Sequence, residues 1–156
     1  MPQASLPKRF PRYEQRVLAA KLLTPAENDP MLYRASCHCG AVVAEVEAPS
    51  ELEVEDCNCS ICYRSGILHL IVPKSRFRLL QGAEHLRLYT FNTGTAKHYF
   101  CQTCGIKVFY IPRSNPDGYS VNARCLEPPP AKLLVVPFDG RDWEQHAHLL
   151  AHKSQD

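Results

Sequence analysis

Seven of the eight cysteines fall into three tight groups: Cys37 and Cys39 in "CHC", Cys57, Cys59 and Cys62 in "DCNCSIC", and Cys101 and Cys104 in "CQTC". Thiols this close along the chain can all reach one ion, whereas neighbouring half-cystines would each need a distant partner. No secretory signal marks the chain as bound for an oxidising compartment, so metal binding is expected ahead of disulfides. Thiolate donors in this number point to zinc, with an iron–sulfur cluster as the lesser alternative.

Seven divides naturally into four plus three. The knuckles Cys37/Cys39 and Cys101/Cys104 can close a four-thiolate tetrahedron, a structural zinc site whose binding energy is also folding energy. The alternative is that Cys37 and Cys39 join the middle group. Cys57, Cys59 and Cys62 are then one ligand short of four-coordination. Cys125 in "NARCLE" and His38, His69 or His98 are candidates for the fourth place. Each also has a plainer use, as a small buried thiol or a strand histidine. His146, His148 and His152 include an i, i+4 pair, but with no other ligand nearby they read as a solvated helix face. An open fourth position is the preferred reading. Three thiolates make a bound Zn²⁺ a weak Lewis acid and suit it to a soft, anionic fourth ligand, such as a substrate thiolate. Held beside an aldehyde, that sulfur can attack the carbonyl carbon to give a hemithioacetal.

The elements that must position these groups read as mainly β. The chain has 156 residues, of which 45% are hydrophobic and 22% charged, in keeping with one globular domain. Thirteen prolines and seven glycines imply many turns. Residues 1–33 read as an appendage with a short helix in "YEQRVLAAKLL", and residues 34–156 as the zinc domain. In "AVVAEVEA", Val42, Ala44 and Val46 alternate with Val43, Glu45 and Glu47, the period of a half-buried strand. "ILHLIVP" is apolar on both faces, as in a central strand. "HLRLYTF", "KHYF", "KVFYIP", "YSVNA" and "KLLVVPF" continue the series. "DWEQHAHLLAH" reads as a C-terminal helix with Asp142 and Gln145 in a capping box and Trp143, Ala147 and Leu150 on its buried stripe.

A net charge of +2 gives no strong electrostatic footprint for nucleic acid. No stretch is long and apolar enough to span a membrane, and Lys21 interrupts the one apolar run near the N-terminus. An intracellular, reducing location is expected, most simply the cytoplasm.

The segments "CHCGAV", "DCNCSIC", "LLQGAEHLRLYTFNT", "YTFNTGTAKHYFCQTCGIKVFY" and "PRSNPDG" run in this order between about Arg34 and Trp143. Together they resemble the glutathione-dependent formaldehyde-activating enzyme family, most of all its branch containing centromere protein V. The resemblance implies a single-domain β-tent fold with two zinc ions per chain. It makes Cys37, Cys39, Cys101 and Cys104 the structural zinc ligands. Cys57, Cys59 and Cys62 become the catalytic zinc ligands, with glutathione approaching the open side. The implied reaction is that of a carbon–sulfur lyase, joining glutathione and formaldehyde as S-(hydroxymethyl)glutathione. Centromere protein V carries a long basic N-terminal region, for which this chain has only "PKRFPRYEQR", so a chromosome or microtubule role does not carry over.

Three supporting roles remain open to a plainer reading. Asp56 could act as a general base, or simply cap a turn. Arg113 and Arg124 could bind substrate carboxylates, or be surface charge. Lys8, Arg9, Arg12 and Arg16, with Phe10 and Tyr13 between them, would be the basic arm of a non-catalytic zinc module that binds protein or nucleic acid. A redox or metal-trafficking use of the middle cysteines is a third possibility.

Overall fold

The computed structural model describes residues 29–155; the expected N-terminal helix and basic arm lie outside them. Among the described residues eleven strands form two sheets. The first four are β1 (Pro30–Ser36), β2 (Val43–Pro49), β3 (Glu51–Cys57) and β4 (His69–Pro73). Next come β5 (Phe77–Gln81), β6 (Leu86–Tyr89), β7 (Lys97–Cys101) and β8 (Phe109–Ile111). The last three are β9 (Gly118–Asn122), β10 (Leu126–Glu127) and β11 (Lys132–Phe138). The smaller sheet has the order β10-β1-β2-β5, and the larger β11-β3-β4-β9-β8-β7-β6. Among the described residues no helix is long and apolar enough to cross a membrane.

Two-residue alternation along the larger sheet sorts its side chains between a dry core and a second face. Leu52 and Val54 of β3, Leu70 and Val72 of β4, Phe109 of β8 and Val121 of β9 pack into the main core, against Tyr33, Ala35, Ala44 and Val46 of the smaller sheet and Val42 just before β2. Each such aliphatic side chain contributes roughly 1.5–3 kcal/mol by leaving water. The intervening residues, Glu55, Cys57, His69, Tyr110 and Ser120, take the opposite face. That explains why "ILHLIVP" is apolar on both faces: Leu68, Leu70 and Val72 belong to the main core, while Ile67 packs with Cys57, Cys62 and Tyr110.

Four features depart from the sequence expectations. The first strand begins at Pro30 and pairs with β2 along its whole length, so Met31 and Tyr33 already belong to the sheet. A strand at Glu51–Cys57 and a helix α1 at Ser60–Ser65 had no counterpart. β11 is an edge strand paired in parallel with β3, and leaves Leu133, Leu134 and Val135 exposed. Finally, the C-terminal helix is α-helical (α2) only over Trp143–His146 and then tightens into a 3₁₀ helix from Ala147 to Ser154. The capping box does not form: Asp142 makes no side-chain cap, and the Gln145 N–H bonds instead to the Asp142 carbonyl, the three-residue closure of a tight turn. The stripe survives in part, with Leu150 buried and Trp143 and Ala147 half-buried.

Candidate metal centres and cleft

All eight cysteines are free thiols, and seven converge in two clusters. Cys37, Cys39, Cys101 and Cys104 place their sulfurs within 4.8 Å of one another, which realises the first of the two sequence pairings. Each knuckle is a tight turn closed by a glycine in the left-handed region, Gly40 at φ 76° and Gly105 at φ 74°, where a side chain would be strained. The Gly40 and Gly105 N–H groups bond to the carbonyls of Cys37 and Cys101, and the Val42 N–H reaches the Cys37 sulfur at 3.3 Å. Cys37 directly follows β1 and Cys101 ends β7, so this cluster ties the two sheets together.

Cys57, Cys59 and Cys62 form the second cluster at the same spacing, and no fourth His, Cys, Asp or Glu joins it among the described residues. Cys57 ends β3, Cys59 is the residue before α1, and Cys62 lies one turn into that helix. The loop after β11 covers them. Asn58 donates to the Asp139 carboxylate at 3.0 Å and accepts from the Arg141 N–H at 3.1 Å. Gly140 packs so closely that an added Cβ would meet the Cys57 sulfur at 2.4 Å.

The donor chemistry of both clusters fits a metal ion. In the second, hydrogen bonds from Cys57 and then Cys62 pull the Cys59 thiol down to about 2. The bond to Cys59 pushes Cys57 up to about 11. Cys62 is driven higher still, by its bonds to Cys57 and Cys59 and by burial. Sulfurs this close cannot all ionise on their own, because their negative charges repel. A soft or borderline divalent cation is what lets all of them ionise.

The second cluster lines a cleft of about 510 Å³. Its walls include Ile61, Ile71, Phe91, Phe138, Trp143 and Leu150, with Glu55, His69, His98, Tyr110, Arg113 and Arg141 as polar groups. The C-terminal segment closes one side. Asn115, fully buried, donates to the Leu150 carbonyl and the Ser154 hydroxyl, both at 2.9 Å. Lys153 pairs with Glu53 at 3.2 Å and with Glu55, the latter a cleft residue. Burial raises the Glu55 carboxyl, and Lys153 opposes that rise.

His69 and His98 line the cleft and belong to neither metal cluster. The Tyr110 and Ser120 hydroxyls contact Nδ1 of His69 at 3.2 and 3.1 Å. Lys107 contacts Nδ1 of His98 at 2.9 Å. Burial, reinforced by the Lys107 charge, lowers His69 to about 3 and His98 to about 4, so both rings are neutral at physiological pH.

The remaining sequence candidates fall elsewhere. Cys125 packs against the main core, and burial raises its thiol to about 11, with Cys37 and Cys104 adding to the effect; its electrostatic neighbours are therefore in the other cluster. His38 is exposed, and His146 bonds through Nδ1 to the Asp139 carbonyl while His148 and His152 face solvent. Asp56 is exposed on the far side of the β3 pleat, and Glu55 takes the cleft side. Arg124 donates to the Gly66 carbonyl and does not line the cleft. Arg113 does line it, but its guanidinium is held by Glu144 at 2.5 Å and lies 3.9 Å over the Trp143 ring. Arg141, not singled out from sequence, lines the cleft with no side-chain ion pair or hydrogen bond among the described residues.

Comparison with known proteins follows the same geography. The profile of the family described as glutathione-dependent formaldehyde-activating enzyme matches residues 32–135, which contain both clusters. A Halomonas elongata protein provisionally named a glutathione-dependent formaldehyde-activating enzyme is 26% identical over 125 residues, covering 72% of this chain and 80% of its own. The crystal structure of a Rhodobacter sphaeroides protein is similar with a TM-score of 0.57 and 40% identity, covering 66% of this chain and 99% of its own.

Proposed function

We propose, for a chain that belongs to the glutathione-dependent formaldehyde-activating enzyme family, a zinc-dependent carbon–sulfur lyase that joins glutathione, or a similar thiol, to formaldehyde. The observation that carries this reading is the cluster of Cys57, Cys59 and Cys62 lining a cleft of about 510 Å³ with no fourth protein ligand among the described residues. Zn²⁺ in that cluster would supply the charge that lowers an incoming thiol's pKa and fixes its sulfur.

The chain's own residues do the rest. Ile61, Phe138 and Leu150 give apolar walls to the cleft that the three thiols line. The free guanidinium of Arg141 offers a bidentate partner for a glutathione carboxylate, a role that Arg113, already committed to Glu144, is less able to fill. The thiol sulfur adds to the aldehyde carbon, and the product is an S-hydroxymethyl adduct. In the same reading Cys37, Cys39, Cys101 and Cys104 hold a structural zinc, the fold is of the β-tent type, and the chain sits in the centromere protein V branch on the order of its motifs. Free thiols at all eight cysteines suit a reducing, intracellular compartment.

The test is calorimetric titration of glutathione into zinc-loaded protein under reducing conditions, with Cys59→Ser alongside. Saturable binding to the wild type that is lost in the variant supports the reading. No heat with either protein, at confirmed metal content, removes the glutathione mechanism.

A further inference from the structure

His98 and Lys107 form a buried couple behind the cleft. Their exposures are 2% and 3%, and Nζ of Lys107 lies 2.9 Å from Nδ1 of His98. An ammonium group has three donors and no acceptor, so Nδ1 must accept. A neutral imidazole that accepts at Nδ1 carries its proton at Nε2. Nζ of Lys107 lies 4.2 Å over the Tyr110 ring and 5.6 Å from the Phe100 ring, a cation–π setting that suits an ammonium, and burial lowers the group only to about 8.

The ring is also fixed in place. It stacks on Tyr110 at 5.1 Å and 11°, and on Phe91 at 5.5 Å and 19°. Despite this, its Nε2 is buried and has no hydrogen-bond partner among the described residues. Folded proteins leave few buried donors unpaired, and those that remain unpaired call for an explanation. Here the ring lines the same cleft as Cys57, Cys59 and Cys62. His69 repeats the pattern with its own unpartnered Nε2, but hydroxyls can donate or accept, so its tautomer is not dictated in the same way.

The geometry points to His98, through the unpartnered Nε2–H of a ring on the cleft wall, as a catalytic hydrogen-bond donor to the charge that develops on the aldehyde oxygen, with Lys107 as the positioning residue that sets the tautomer. The inference rests on the thiol-plus-aldehyde reaction proposed above. As the S–C bond forms, the C=O π pair moves to oxygen, which accepts the Nε2–H bond. That oxygen then takes a proton from water, replacing the one the thiol gave up to solvent. His98 keeps its own proton throughout. A donor held in place before reaction costs no reorganisation, and losing one such donor typically slows turnover by about 100-fold or more.

The test is a long-range ¹H–¹⁵N NMR spectrum of the zinc-loaded full chain, free and with a glutathione–formaldehyde mixture, beside steady-state rates for wild type, His98→Phe and Lys107→Met. The expected free state is an Nε2–H tautomer at His98, with that proton shifting when the mixture is added. In His98→Phe, kcat is expected to fall about 100-fold with the KM for glutathione within about threefold of wild type. Lys107→Met, which keeps the ring, is expected to show mixed tautomers and a kcat lowered by about 10-fold, and it carries the kinetic arm if His98→Phe does not fold. An Nδ1–H tautomer, an unmoved Nε2 proton, or an unchanged kcat in the folded variant overturns the inference. A wild type without turnover removes the reaction, and the NMR arm then decides alone: a shifted Nε2 proton keeps His98 as the donor to the bound adduct, and an unshifted one overturns it.

Discussion

Gly140 lies directly against Cys57: a Cβ built on it would sit 2.4 Å from the Cys57 sulfur and 3.0 Å from Cβ of Cys59. Real Cβ atoms do not approach that closely, so the loop after β11 fits over the three-thiol cluster only because residue 140 has no side chain. Gly140→Ala is expected to move Cys57 or lift the loop. Metal analysis should show the content falling towards half, with the four-thiol cluster still filled and the circular dichroism spectrum retained. Full loading of both clusters in the variant would contradict the packing.

The two clusters differ in what they hold together. Cys101→Ser breaks the one that joins the two sheets, and the melting temperature is expected to fall by roughly 10 °C or more, because lost metal binding is lost folding free energy. Cys59→Ser is expected to cost far less in thermal stability while abolishing thiol binding. Thermal melts and calorimetry on both variants separate the two roles. Equal melting temperatures would undo the assignment.

The chelating spacings were legible in the sequence because a C-x-C or C-x-x-C turn is local. Which knuckles share an ion is a tertiary fact, and it needed β1 and β7 brought side by side. β4 was legible for a similar reason, since an apolar run on both faces suits few places but a sheet interior. The strand Glu51–Cys57 was not, because Glu51, Glu53 and Asp56 make it look like a solvated turn, when Leu52 and Val54 between them are buried in the main core. His98 and Lys107 are nine residues apart on different segments, and only the β7–β8 pairing puts one nitrogen against the other. Arg113 and Arg141 are indistinguishable by type. The Glu144 carboxylate that occupies Arg113 decides between them.

Arg141→Ala is expected to weaken glutathione binding about 10-fold, the scale of one lost charge-assisted contact. Binding of a small thiol without carboxylates, such as 2-mercaptoethanol, should be unchanged, because it has nothing for the guanidinium to hold. Parallel titrations with the two thiols read the difference. Equal losses for both would place Arg141 in the cleft's structure and not in recognition.

Acid should destabilise the chain partly through His98. Its folded pKa, about 4, lies below the unfolded value of 6.5. The unfolded chain therefore binds the extra proton first, and stability present above pH 6.5 is lost as pH falls towards 4. The full effect is on the order of 3 kcal/mol. Protonation of the clustered thiols would act in the same direction by loosening any ion they hold, so the informative quantity is a difference. His98→Gln cannot titrate but can still accept from Lys107, and its melting temperature is expected to fall less steeply than that of wild type between pH 6.5 and pH 5. Parallel slopes would show that His98 is not neutral in the folded state.

The C-terminal segment that closes the cleft imposes an order in time on a chain made from its N-terminus. Both sheet-joining knuckles have been synthesised once Cys104 appears, and the Cys57–Cys62 loop is complete earlier still. The loop bearing Gly140 and the segment from Leu150 to Ser154, held by Asn115 and Glu55, come later in the chain. The four sulfurs of the sheet-joining cluster are therefore all made while the Cys57, Cys59 and Cys62 thiols are still uncovered. Until the Leu150–Ser154 turn docks, those thiols stand open to any oxidant or stray ion, so the interval before that docking is their period of greatest chemical vulnerability.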